Sequence, residues 1–177
     1  MIKSMPLSDL WIYNSSIIKY TLGTFSARIL IPYLGKGSKI HSSVKYRMPS
    51  KIKVGNLCEI REGTSLDARS SQSIAIDIGD GCRIKEYVTL ASYGKEIIFG
   101  KNVLVGKGVT IFGHGGVYVE DYSMIGPHTM IASTNYITTL NQSVPFQEQG
   151  FTREPIHIGS NVWIGANSTI LGGTNIS

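Results

Sequence analysis

Cysteine is nearly missing from this chain: Cys58 and Cys82 are the only two in 177 residues. That excludes a disulfide-stapled secreted scaffold and points to a reducing cytoplasm. Long apolar runs are missing too. The best stretch, residues 15 to 34, is interrupted by Lys19, Arg28 and Pro32, whereas a spanning helix needs about 20 consecutive apolar residues. The start shows no basic-then-apolar-then-small pattern of the kind that marks a signal peptide. The four histidines and two cysteines share no metal-ligand spacing, so no metal is expected. No glycine-rich loop opens a helix as a phosphate cradle would.

Acid is scarce in the first third. Up to Cys58, nine Lys/Arg face the single Asp9; from Glu59 onward, eight face eleven acids. The excess concentrates in GKGSKIHSSVKYRMPSKIKVG, residues 35 to 55. Beside an amphipathic segment, such a stretch could rest on the anionic inner face of a membrane, attract an anionic substrate, or form a solvated positive edge. No recognised motif accompanies the charge, so no nucleic-acid partner is expected.

What the chain does have is rhythm. Leu7, Leu10, Trp11, Ile17, Ile18, Leu22, Phe25 and Ile29 are spaced for one or two amphipathic helices, with Gly23 as the candidate break. After Pro49 that spacing gives way to a period of six. Val54, Ile60 and Leu66 form one set, followed by Ile78, Ile84 and Leu90, then Phe99, Val105 and Ile111. Val119, Ile125 and Ile131 come next, then Ile158, Ile164 and Ile170, and Ile176 opens a further set.

Six residues suit one short strand and a corner, and three such units close a triangular coil. A single coil cannot bury its own interior, so coils must stack, about 4.8 Å apart. The expected architecture is an all-β repeat: an N-terminal helical and basic segment over residues 1–47, then a β-helix domain over 48–177. Cys58, Cys82, Val103, Ser123 and Val162 fall in one interior column. The two cysteines are stacked closely enough for a disulfide, yet in a reducing compartment they are expected as small buried thiols.

The rhythm breaks at one kind of place. Six extra residues follow Leu66, three follow Leu90, two follow Ile111 and twenty-one follow Ile131. All four insertions therefore leave the prism at the same corner. The longest, a projecting loop over residues 137–157, is the natural place for function on a rigid scaffold.

With IHIGSNVWIGANSTILGG in view, and the run from IGPHTMIASTNY through the loop to PIHIGSNVWIGAN, the chain resembles the hexapeptide-repeat acyltransferases. Their fold is a left-handed parallel β-helix. The nearest resemblance is to bacterial sugar O-acetyltransferases, both the galactoside and maltose type and those that decorate capsule and lipopolysaccharide glycans. The resemblance implies a homotrimer with acetyl-CoA as acyl donor, lying in the cleft between neighbouring prisms. It also implies a loop that shapes the site for a sugar or glycan acceptor, in a cytoplasmic protein.

Carried over residue by residue, Trp163 packs beside the cofactor, the Ala166 amide steadies the oxyanion, and Gly172 lies on the same cofactor side. The family's general base, a histidine after Asn or Gly, falls on Tyr136, which follows Asn135. Asn135 is then an acceptor-side residue. A phenol ordinarily titrates near 10 and an imidazole near 6.5, so the exchange bears directly on mechanism. His114, one coil earlier near the same corner, is the candidate substitute base and equally a candidate acceptor-binding residue. His128 and His157 read as surface turn residues. The family usually continues beyond the position of Ile176, so the coil opened there is expected to present an uncovered edge.

Three readings follow. The first is an acetyl-CoA-dependent O-acetyltransferase acting on a sugar hydroxyl in surface-glycan synthesis. The second is a trimeric scaffold or binding module that has lost its base. The third is N-acetylation of an amino-sugar nucleotide, where an amine acceptor depends less on a strong base.

Overall fold

In the computed structural model, which describes residues 7–137 and 143–177 with side chains from Ser15 onward, the hexads stack as their spacing demands. On the first face Val54 lies beside Ile78, Ile78 beside Phe99, Phe99 beside Val119, and Val119 beside Ile158. The second face aligns Ile60, Ile84, Val105, Ile125 and Ile164. The third aligns Leu66, Leu90, Ile111, Ile131 and Ile170. Three parallel sheets of seven, six and six strands result. The fold is a left-handed parallel β-helix of six coils and the first strand of a seventh. Its interior columns are almost wholly aliphatic and buried, each such side chain worth about 1.5–3 kcal/mol relative to exposure.

The solenoid starts earlier than residue 48. Tyr33–Leu34, Lys39–Ile40 and Lys45–Arg47 already pair with the three strands of the next coil, setting Leu34 beside Val54, Ile40 beside Ile60 and Tyr46 beside Leu66. The period of six runs through Leu34, Ile40 and Tyr46. A half-buried aromatic in the third place, among outward lysines, disguises it.

The N-terminal spacing yields a single helix, α1 (Leu7–Leu30), which Gly23 does not break. Instead Gly23 is where α1 meets the backbone of Ile40 and Ser42 so closely that a side chain could not fit. From there Ala27 and Ile31 sink into the same core as Ile40 and Val44. Among the described residues, no helix is long and apolar enough to cross a membrane.

Cys58 and Cys82 are free and buried. Each thiol donates to a carbonyl of the following coil, Cys58 to Gly79 and Cys82 to Gly100, both at 3.1 Å. Burial pushes the Cys82 thiol up to about 12.

All four insertions leave at the corner between the third and first faces, because each third-face strand is the last of its coil. The longest begins and ends as a small antiparallel pair, Asn135–Tyr136 against Phe151–Thr152. Residues 138–142 of the projecting loop lie outside the described residues.

Leu90→Ala, which empties one interior position, is expected to lower unfolding free energy by about 2–5 kcal/mol in a urea melt. Gly23→Val should detach α1 from the first coil. Limited proteolysis is expected to release the helix while the β-sheet circular dichroism persists.

Candidate functional site

The insertion corner gathers aromatic and cationic side chains that are scattered in sequence. In the first insertion Asp67 is buried. It accepts from Arg69 Nε at 2.9 Å and from Nη2 at 2.7 Å. Burial works to raise the Asp67 carboxyl, but the Arg69 hydrogen bonds outweigh it and hold the group below the usual range. The guanidinium fixed in this way lies 5.2 Å from the ring centre of Tyr93, which the second insertion supplies.

Tyr93 stacks on Phe112 at 6.0 Å and stands 5.4 Å from the His114 ring. His114 in turn meets Phe151 edge-on at 6.3 Å. Phe151 touches Tyr136 at 6.4 Å, and Tyr136 meets Phe146 at 5.4 Å. Arg153 covers Phe151 from 5.1 Å. The result is a continuous ridge of rings with Arg69 at its Tyr93 end and Arg153 over Phe151 further along it. Its order follows the stacking of the coils, since each insertion contributes its own member.

His114 sits within that ridge. Its Nδ1 is buried without a hydrogen-bond partner, so any bound acceptor must meet the ring through Nε2. Burial, and then the charge of Arg153, lower its pKa below the ordinary imidazole value. The shift favours the neutral ring, the state in which an imidazole can accept a proton.

Tyr136 has no such setting. The residue is 59% exposed, and its ring meets Phe146 and Phe151 at the root of the loop. Its neighbour Asn135 donates from Nδ2 to the Gly172 carbonyl at 3.1 Å. A Cβ on Gly172 would stand 3.2 Å from the Thr134 amide nitrogen, so the absence of a side chain lets the last coil close on the loop root. The structure thus brings His114, Asn135, Tyr136 and Gly172 to one corner.

Trp163 and Ala166 lie elsewhere. Trp163 projects from the second face, 75% exposed, in register with Met124. It lines a groove of about 380 Å³ with Arg61, Lys85, Lys107 and Pro127 among its walls. Ala166 follows in the turn toward the third face, its amide packed against Gly126. Within one chain, therefore, the indole and Tyr136 occupy different faces of the prism.

Of the other histidines, His128 is a turn residue with φ of 58°. His157 is not: it lies in the strand Ile156–Ile158 and stacks on Tyr118 at 4.7 Å. Among the described residues, no three His, Cys, Asp or Glu side chains are grouped to hold a metal ion.

Hexad spacing does not single out Arg69, Tyr93, Phe112, Phe151 or Arg153. The signal was available, since Arg69, Tyr93, Phe151 and Arg153 lie in the insertions and Phe112 stands at the start of one. What it did not show was which rings would touch.

No known protein family matches the chain, and no curated protein matches it. Among solved structures, the hexapeptide-type prism is similar to AntD, an N-acyltransferase from Bacillus cereus. A mutant of that protein, in complex with dTDP and coenzyme A, is 16% identical with a TM-score of 0.51, over 86% of this chain and 70% of that one. AntD in complex with dTDP and 3-hydroxybutyryl-CoA is 14% identical with a TM-score of 0.51, over 84% of this chain and 77% of that one. At these identities the likeness is one of fold.

Titration of the His114 ring by NMR is expected to give a pKa below its usual ~6.5, and Arg153→Ala should raise it. Because the fold disfavours the protonated ring, the linked stability is complete above about pH 6.5 and declines as pH falls through the lowered folded value.

Proposed function

We propose that this protein is an acyl-CoA-dependent acyltransferase acting on the amino group of a nucleotide-linked sugar. The observation that carries the reading is His114: a half-buried imidazole whose Nδ1 has no hydrogen-bond partner among the described residues, set among aromatic rings with Arg69 and Arg153 on either side. In the proposed step the acceptor nitrogen, as free amine, attacks the thioester carbonyl. The N–C bond forms, the C–S bond breaks, and His114 takes the proton that the nitrogen sheds and returns it to the departing thiolate. Arg69 and Arg153 are suited to an acceptor carrying phosphate. Asn135 and loop residues 143–157 form the wall on the acceptor side in this reading.

The fold neighbour AntD, an N-acyltransferase seen with dTDP and coenzyme A, favours an amine over a hydroxyl acceptor. The donor, acetyl-CoA or a related acyl-CoA, is assigned to the second-face groove, with Trp163 beside it and the Ala166 amide as oxyanion donor, whereas Gly172 stands at the loop-root corner beside Asn135 and not in that groove. Since Trp163 and the His114 corner lie on different faces of one prism, the working form in this reading is a homotrimer. There the groove of one protomer faces the corner of the next. The reaction belongs in the cytoplasm, where acyl-CoA is available.

Incubation with acetyl-CoA and a dTDP-linked 4-amino sugar, or its 4-hydroxy counterpart, tests the reading by thiol release and product mass. Amide formation from the amino sugar alone is expected. His114→Ala should cost about a hundredfold to ten-thousandfold in kcat/KM, whereas Tyr136→Phe should retain activity. Ester formation on the hydroxy sugar would instead establish sugar O-acetylation of the surface-glycan type. The absence of thiol release and of coenzyme A binding would leave a non-catalytic scaffold.

A further inference from the structure

The helix α1 has two apolar sides, and only one of them is used by the fold. Gly23, Ala27 and Ile31 face the core. Ile18, Leu22, Phe25 and Ile29 follow the spacing of a second stripe, and their exposure ranges from 57% to 71%. A row of large aliphatic and aromatic side chains left in water is a mark of an interaction surface.

Charge indicates what covers it. Between Ser15 and Cys58 the chain has eight Lys/Arg and no acid. Lys53 pairs with Asp77, and Arg47 approaches Asp67. Among the described residues Lys19, Arg28, Lys36, Lys39 and Lys45 enter no salt bridge. The apolar and basic groups also meet in space. A cleft of about 720 Å³ between α1 and the first coil is lined by Ile17, Phe25, Arg28 and Lys39. Glu59, the carboxylate in that lining, is held by Arg61 at 2.9 Å.

We propose that α1 and the basic first coil form a peripheral docking surface for an anionic phospholipid membrane. The apolar stripe would enter the headgroup–acyl boundary, and the unpaired lysines and arginine would meet lipid phosphates. A second copy of the chain suits the surface less well. An isologous contact through this face would bring two sets of unneutralised cations together, whereas a lipid surface supplies their counter-charge. This assignment is independent of the acyl-transfer chemistry, which is placed at another corner of the prism.

Co-sedimentation of the full chain with vesicles tests it, using phosphatidylcholine alone or mixed with phosphatidylglycerol. Binding is expected only with phosphatidylglycerol, and it should weaken as salt is added. Phe25→Glu with Ile29→Glu should abolish binding. Lys36→Glu with Lys39→Glu should weaken it by at least about fivefold per charge removed. Both variants should keep the wild-type circular dichroism, since these side chains are exposed. Three results would overturn the proposal. One is absence of binding to phosphatidylglycerol vesicles; another is equal binding to neutral ones. The third is a change of oligomer size in the Phe25/Ile29 variant without loss of vesicle binding, which would assign the stripe to a second copy.

Discussion

The hydrogen-bonded register between coils is the constraint on which the rest of this molecule depends. Each coil hands its N–H groups to the carbonyls of the next at matching places: Gly55 to Ile78 at 2.7 Å, Gly79 to Phe99 at 2.9 Å, and Gly100 to Val119 at 2.8 Å. A residue added inside a hexad would turn every following inward side chain outward and break all three ladders. A residue added at a corner costs only loop entropy, which grows slowly with length. That is why insertions of very different length can share one corner without disturbing the columns on either side of it.

Confinement to one corner turns variable loops into a site. Coils stack at a fixed spacing, so insertions from successive coils are laid side by side and their rings meet in coil order. Tyr93, His114 and Phe151 are neighbours because their coils are neighbours. The rigid prism also sets the electrostatics. Asp67, rooted at the end of a strand, holds Arg69 over Tyr93, while Arg153 returns with the long insertion to stand over Phe151 and adds to the burial that lowers the His114 pKa. The same rigidity keeps three surfaces apart in space: Trp163 on the second face, the His114 ridge at the corner, and the apolar stripe of α1 beside the first coil.

The register of this chain can be read by counting. Val54, Ile60 and Leu66 announce a coil because interior positions tolerate little but aliphatic residues, and the four breaks in the count locate the corner. Legibility fades where the chemistry of the repeat changes. Leu34, Ile40 and Tyr46 keep the period of six, yet an aromatic third member and a lysine-rich exterior make them read as part of a basic tail. Within the site, counting reached Asn135, Tyr136 and His114. It did not reach Arg69, Tyr93, Phe112, Phe151 or Arg153, because no period governs an insertion.

The sequence by itself therefore determined the repeat, the columns and the corner, since each follows from a local pattern renewed in every coil. Only the tertiary structure set the different surroundings of His114 and Tyr136. His114 lies half-buried among rings from neighbouring coils, whereas Tyr136 stays exposed at the loop root. Only the tertiary structure, too, set Trp163 on a different face from Tyr136 and left one side of α1 uncovered. The physical reason is the same in each case. Periodicity is encoded between neighbours in the chain, but burial, charge and ring contact depend on residues that meet only after the coils have stacked.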